Sequence, residues 1–428
     1  MSMTEARRPS AGGQTGTGTN RLAAMAVTYF LGVFNDNFFK QAALLLAVAG
    51  GLSHLQGQAT ELFSLPFILF SAWGGWLADR FVKRQVLILA KFLELVAMAI
   101  GSWAMVTLNW FWILAMIFVM GLQSTLFGPA LNGTIPELHP ADRVPWVNSI
   151  LKLVTTVAIL LGMALAGFAL DQQWLSTPLP FGRLLVAATV LICALTGLFA
   201  SFRIPVHPAA GCRAKFPWSG PLVSLRDAME LRRDPLLLLA VGCDVFFYFI
   251  SLLAVLVINI LGLVELGLGK SATSLLAVSL MIGVCGGALV AGRWTTSWRW
   301  THILTPGALG MGMCMIGAGL LVRWGDAEVY PVLLAILACT GWFGGLFLIP
   351  VSAAIQIRPD ASRRGRVIAA ANFLSFAGMW CSGRIYSLLE RLLVPSSAMI
   401  LLGIGTVAAA GLVAVAVRRT GGLKQQER

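Results

Sequence analysis

The chain has 428 residues, of which 58% are hydrophobic and 11% charged, with a net charge of +13 and a mean hydropathy of +0.82. Soluble domains carry roughly 25% charged residues, so this composition excludes a soluble globular protein and points to an integral membrane protein. The basic residues sit between apolar runs, where anionic headgroups would lie, which argues against a nucleic-acid partner.

Residues 1–20 are rich in Gly, Thr and Ser and are expected to be disordered. They hold no short apolar core followed by a small-residue cleavage site, so no removable signal peptide is expected. A helix needs about 20 mostly apolar residues to cross a bilayer. Twelve stretches qualify: 21–49, 58–78, 85–107, 110–135, 146–170, 182–203, 236–262, 271–292, 301–322, 329–352, 367–390 and 396–418. The long connection, 204–235, is basic and moderately amphipathic, and it divides the spans six and six. The expected organisation is a six-helix bundle over 21–203, a cytoplasmic linker over 204–235, a second bundle over 236–418 and a cytoplasmic tail over 419–428. With both termini cytoplasmic, most of the 31 Lys and Arg fall on the inside, as the positive-inside rule requires.

The first span holds Phe34-Asn35-Asp36-Asn37-Phe38-Phe39-Lys40, two charges and two amides at membrane depth. An ionisable group there costs at least ~2.5–3.5 kcal/mol on insertion scales, so it is expected to face a partner, a cavity or a substrate path. Asp36 and Lys40 are one helical turn apart, so they can pair with each other or each serve a substrate. Asn37 and Gln41 share the neighbouring face. Gln123, Ser124 and Asn132 on the fourth span, Asp244, Tyr248 and Asn259 on the seventh, Gln356 on the tenth, and Asn372 and Arg384 on the eleventh could line the same cavity. Arg384, an arginine inside a span, calls for an anion. Lys91 and Glu94 are read as a local pair, or as snorkelling side chains.

The glycine pairs Gly283/Gly287 and Gly341/Gly345 read as close helix packing. The two halves echo each other: Pro129, Glu137, Arg143 and Asn148 around spans four and five match Pro350, Arg358, Arg366 and Asn372 around spans ten and eleven. None of the seven cysteines forms a CxxC pair, and the four histidines fall in or near loops. No metal, cofactor or disulfide is expected, and there is no GxxxxGK[ST] nucleotide motif.

After the second span, Gly75-Trp76-Leu77-Ala78-Asp79-Arg80-Phe81-Val82-Lys83-Arg84 resembles the signature loop of the major facilitator superfamily. That resemblance implies a cytoplasmic latch, with Gly75 allowing close helix approach and Asp79 pairing with basic residues such as Arg80 and Arg84. The second half has Gly287 to Arg293 at the equivalent place, without the acid. The first span, Tyr29 to Lys40, resembles the start of the lysophospholipid transporters of the same superfamily, and the likeness continues through the Pro129 and Pro350 regions. The resemblance implies an all-α membrane protein of twelve transmembrane helices in a 6+6 fold. It further implies a bacterial inner-membrane flippase, acting as a monomer, that brings lysophospholipid, chiefly lysophosphatidylethanolamine, to the cytoplasmic leaflet for reacylation.

In that family the acid matching Asp36 handles the headgroup. Two basic partners of the family do not carry over: Leu131 follows Pro129-Ala130 where lysine is expected, and no arginine lies between Asp244 and Asn259. Lys40 and Arg384 are the candidate replacements, with Asn35, Asn37 and Asn372 as polar neighbours. Some relatives are fused to an acyltransferase whose His-x4-Asp signature is absent here, so the expectation is transport alone, with a separate acyltransferase as partner. Two other readings are a proton-coupled exporter of amphipathic drugs or small metabolites, with Asp36 as the protonation site, and a non-transporting membrane scaffold.

Overall fold

Among the described residues there are thirteen α-helices, and twelve of them follow from the apolar runs, because backbone polar groups inside a bilayer must be satisfied within their own segment. The computed structural model describes residues 15–138, 143–173, 180–206, 216–294, 300–325, 329–360 and 363–426. The helices are α1 Thr15–Ala49, α2 His54–Arg80, α3 Lys83–Thr107, α4 Trp110–Leu138, α5 Val144–Asp171 and α6 Phe181–Ser201. The short α7, Gly220–Glu230, lies in the long connection. Then come α8 Pro235–Ile260, continued by a π-helical turn over Leu261–Glu265, α9 Lys270–Trp294, α10 Trp300–Trp324, α11 Val329–Ile357, α12 Arg364–Leu392 and α13 Pro395–Gln426.

Each of the twelve expected spans coincides with one long helix. Eleven are long and apolar enough to cross a membrane unaided. The exception, α12, is diluted by Arg364, Arg366, Arg384, Glu390 and Arg391, and it is held in the bundle by packing on α2 and α8. α1 begins at Thr15, inside the segment expected to be disordered. Extending an existing helix adds one hydrogen bond per residue fixed, whereas nucleating a new one is costly. Residues 1–14, Cys212, His139 and His207 lie outside the described residues.

Helix packing reveals the repeat that the sequence only hinted at. In the first half α1 packs on α5 and α6, α2 on α4, and α3 on α4 and α6. In the second half α8 packs on α12 and α13, α9 on α11, and α10 on α11 and α13. Each pair in one half has its counterpart six spans later. The halves meet along two seams, α2 with α12 and α5 with α9, which are themselves related by the repeat.

Glycines make the tightest of these packings possible. A Cβ on Gly341 of α11 would run into the Leu280 carbonyl of α9, and one on Gly283 would stand 2.9 Å from the Trp342 nitrogen. In the first half Gly74 of α2 does the same against the Thr125 carbonyl of α4. Gly75, which the signature motif nominates for close approach, has open space where its Cβ would be. The packing glycine is its neighbour, because a shift of one residue turns a helix by about 100°, away from α4. Gly74→Val is therefore expected to overpack the α2–α4 contact by about 1–3 kcal/mol. Gly75→Val should leave the thermal midpoint of the purified protein unchanged; equal loss in both variants would contradict the assignment.

The number of spans is even, so both chain ends lie at one end of the bundle, here called the terminal face; the other is the far face. Polar contacts join the two halves toward the far face. On one seam Asp171, ending α5, accepts hydrogen bonds from the backbone N–H groups of Lys270 (3.2 Å) and Ser271 (2.7 Å), which open α9. A carboxylate at a helix N-terminus satisfies unpaired donors and complements the helix dipole. On the other seam Arg384 of α12 pairs with Glu61 of α2 toward the far face, and at mid-depth Phe67 of α2 stacks on Phe376 of α12 with centroids 3.8 Å apart. The halves are thus joined by polar contacts on the far-face side, while Asn132, Gln356 and Asn372 are exposed toward the terminal face.

Candidate substrate-binding site around Asp36

Along α1, Phe30, Phe34 and Phe38 stack at successive i,i+4 positions, with centroids 6.1 and 5.3 Å apart. Asn35 and Asp36 point elsewhere, toward α3 and α4, which fold against the middle of α1. Asp36 is 8% exposed. Its carboxylate accepts hydrogen bonds from Ser124 Oγ at 2.7 Å and Gln123 Nε2 at 3.3 and 3.4 Å, both on α4. No Lys or Arg nitrogen among the described residues comes within 4.0 Å of it. Neutral donors orient the carboxylate, and its charge is left without a salt bridge.

Lys40, one turn further along α1, does not close on Asp36. Its ammonium lies over the Phe63 ring of α2, 4.4 Å from the centroid, a cation–π contact. Four residues of helix separate the two Cα atoms by about 6 Å along the axis. The structure therefore places an anion and a cation in sequence along one helix, each held by a neutral partner.

Beneath them lies a fully buried ion pair. Lys91 Nζ is 2.6 Å from Glu94 Oε2, with the side chains 1% and 0% exposed. Asn35 donates to the other carboxylate oxygen of Glu94 at 3.0 Å. Gly32 of α1 makes room for the Lys91 ammonium, where any Cβ would collide with it. The local pairing read from the i,i+3 spacing is what forms, and it consumes Asn35: this side chain is 0% exposed and braces α1 on α3. Asn37 turns back on its own helix, donating to the Val33 carbonyl at 2.8 Å. Removing one partner of a buried pair typically costs about 3–5 kcal/mol, because the other charge remains in a low-dielectric interior. Lys91→Met alone should lower thermal stability strongly, and Lys91→Met with Glu94→Leu should recover much of it. Equal loss in both would indicate that the charge pair is not what matters.

The remaining candidates fall into separate places. Gln41 donates to Asn259 of α8 (3.0 Å), Asn259 to Gln56 of α2 (2.9 Å), and Gln56 to the hydroxyl of Tyr386 on α12 (2.7 Å). All four are at most 2% exposed, so this chain of neutral groups stitches the two halves together on the far-face side. Arg384 finds its anion within the protein: Nε is 3.5 Å from Glu61 Oε2 of α2, and the side chain is 66% exposed at the seam. It is not beside Asp36. Asn372 is exposed on the terminal half of α12. Asp244 of α8 mirrors Asp36, buried and bonded by Ser375 Oγ of α12 at 2.7 Å. No Lys or Arg stands one turn away from it on α8. Glu61, Gln56 and Tyr386 are not among the sequence candidates. Glu61 carried a signal, as an acid inside the second span, but Gln56 fell in an expected loop.

At the terminal face the motif residues divide. Asp79 is exposed and makes no ion pair among the described residues, and Arg80 lies over the Trp76 ring, 5.3 Å from its centroid. The expected Asp79 pairing is replaced by others. Lys83 pairs with Glu137 of α4, and Arg84 donates to the Phe202 carbonyl at 2.5 Å. The second half has Asp234, the N-cap of α8, bonded to Arg358 at 2.6 Å. Burial works to raise the Asp234 carboxyl, but the Arg358 bond and the N–H groups of Leu237 and Leu236 outweigh it and hold it below the usual carboxylate range.

Two six-helix bundles in repeat, with buried charged and polar side chains at membrane depth, describe a multi-pass membrane transporter. The model of the Major Facilitator Superfamily matches residues 22–383, and the chain belongs to that superfamily. It is similar to the lysophospholipid transporter LplT of Photorhabdus laumondii, with 28% identity over 398 residues covering 88% of this chain and 90% of the relative. The lysophospholipid transporter LplT of Klebsiella pneumoniae is 26% identical over 413 residues, covering 92% and 94%. Among solved structures, a D-xylose-proton symporter superposes with a TM-score of 0.70 at 16% identity, covering 92% of this chain and 96% of the other. A structure of the proton dependent oligopeptide transporters gives 0.72 at 15%, covering 94% and 100%. At such identities the structural likeness is one of fold.

Proposed function

We propose that this transporter moves a single-chain phospholipid with a zwitterionic headgroup, such as lysophosphatidylethanolamine, to the cytoplasmic leaflet of the bacterial inner membrane. The observation that carries the proposal is the state of Asp36, a buried carboxylate held by Ser124 and Gln123 with no cation on it, one turn from a lysine that rests on a ring. A primary ammonium supplies the missing charge at Asp36, and a phosphate replaces the Phe63 ring at Lys40. In this reading Arg384, largely exposed at the α2–α12 seam and only loosely paired with Glu61, meets the phosphate first, as the lipid enters from the bilayer. Asn35 and Asn37 are supports of α1, and Asn372 lines the path on the terminal side. The names of the relatives support the substrate class.

Both termini are taken as cytoplasmic, on the positive-inside distribution. The far face is then periplasmic, and the structure corresponds to the state closed to the periplasm. Rocking of the halves about the site gives alternating access. Asp79, Arg80 and Arg84, with Gly75, belong to the cytoplasmic gate. The lysolipid delivered to the inner leaflet would be reacylated by a separate acyltransferase.

A second reading, a proton-coupled exporter of amphipathic compounds, is favoured by the same unpaired carboxylate, which can take a proton instead of an ammonium. Proteoliposomes separate the two readings. With fluorescent lysophosphatidylethanolamine and albumin back-extraction, the wild-type protein should flip lipid without an imposed proton gradient. Asp36→Asn should reduce flipping at least ~10-fold, the loss of about 1.4 kcal/mol or more of substrate interaction, with an unchanged thermal midpoint. Undiminished flipping by the folded variant would overturn the site; drug transport driven by the gradient, with no lipid flipping, would establish the exporter.

A further inference from the structure

The connection between the halves does more than join them. Gly220, at the start of α7, is buried against Ala72 of α2, where a Cβ would stand 2.7 Å from the Ala72 Cβ. Ala72 lies eight residues before the end of α2 at Arg80, about 12 Å along the helix axis toward the membrane interior. Just before α7, the Phe216 ring packs between Trp73 and Trp76 of α2, with centroids 5.2 and 5.1 Å away. At its other end α7 reaches the start of α12, where Asp227 is 3.5 Å from Arg366 and Glu230 is 3.6 Å from Arg363. The helix thus crosses the α2–α12 seam, beginning at membrane depth and ending at the terminal face.

Its two faces differ. Gly220, Ser224, Asp227 and Leu231, spaced four, three and four, are buried or half-buried against the protein. Leu222, Leu225 and Met229 lie on the opposite side, and Trp218, in the turn just before the helix, continues their spacing; Trp218, Leu222, Leu225 and Met229 are 83%, 67%, 47% and 51% exposed. Arg226, Arg232 and Arg233 flank this stripe and are also exposed. Four large apolar groups in a row at that depth, with a tryptophan at one end and arginines at the edge, match a helix lying in the lipid interface. The arginines suit anionic headgroups.

We propose that α7 is an interfacial helix whose Trp218–Leu222–Leu225–Met229 stripe is seated in the acyl-chain boundary of the terminal-face leaflet. Its acidic face, tied to Arg363 and Arg366, makes it a lipid-anchored sill across the α2–α12 seam. The proposal does not depend on which substrate the protein carries.

The test is nitroxide labelling of the full-length protein in phosphatidylethanolamine/phosphatidylglycerol vesicles, on a cysteine-free background carrying Leu222→Cys or Leu225→Cys. Leu289→Cys, exposed on the membrane-spanning α9, gives the lipid reference, and Asp360→Cys, exposed between α11 and α12, the aqueous one. The expected result is collision with oxygen and protection from a water-soluble nickel chelate at 222 and 225, as at 289. Nickel accessibility equal to that at 360 would overturn the proposal. So would protection from both reagents with dipolar broadening between labels, the signature of a second copy of the chain on this face.

Discussion

A polar group inside a bilayer must be answered by another polar group, because no water is available to it. The interior of this protein is organised around that demand. Lys91 and Glu94 answer each other and recruit Asn35. Gln41, Asn259, Gln56 and Tyr386 answer one another with neutral groups alone. Asp36 is answered in part: hydrogen bonds satisfy its oxygens, but Lys40 and Lys91 oppose its charge only from a distance, with no ion pair at the carboxylate among the described residues. That residual demand is what a cationic headgroup would meet. Asp244 shares the arrangement in the second half, yet lacks a lysine one turn away, so the zwitterion proposed as substrate would have one place to lie rather than two.

The same accounting describes how the halves are held. Toward the far face the contacts are the buried amide chain and the half-buried Asp171 on the start of α9, with the half-buried Phe67–Phe376 stack at mid-depth. Toward the terminal face the charged contacts lie within a half or run through α7, and the Arg358, Arg363 and Arg366 side chains are 36%, 45% and 54% exposed. Exposed ion pairs contribute about 0–1 kcal/mol each. A bundle firmly zipped at one end and lightly laced at the other is suited to rocking. The amide chain adds a further property, since neutral hydrogen bonds can part and re-form without leaving a bare charge in the membrane.

Sequence alone locates all twelve long helices, because twenty apolar residues in a row leave the chain few alternatives. It also exposes Asp36, because a carboxylate in oil is conspicuous, and it finds the Lys91–Glu94 pair, whose partners are one turn apart. What it cannot supply is partnership across the fold. Gln56 and Tyr386 are separated by 330 residues, and nothing local in either announces the other. An arginine inside a span calls for an anion, and the one beside Arg384 in the structure is Glu61, from the other half of the chain. Lys40 has the spacing to pair with Asp36, and the Phe63 ring captures it instead. The Gly75 expectation failed by a single residue, because a helical face is set by tertiary register that a motif does not encode.

The central claim is that Asp36, a carboxylate in no ion pair, holds a headgroup ammonium. Its most direct test is the lipid that stays with the protein: mass spectrometry of species co-purifying with the wild type and with Asp36→Asn. The account predicts lysophosphatidylethanolamine enriched over its membrane abundance on the wild type and lost from the variant. Equal lysolipid on both, or none on either, would contradict it.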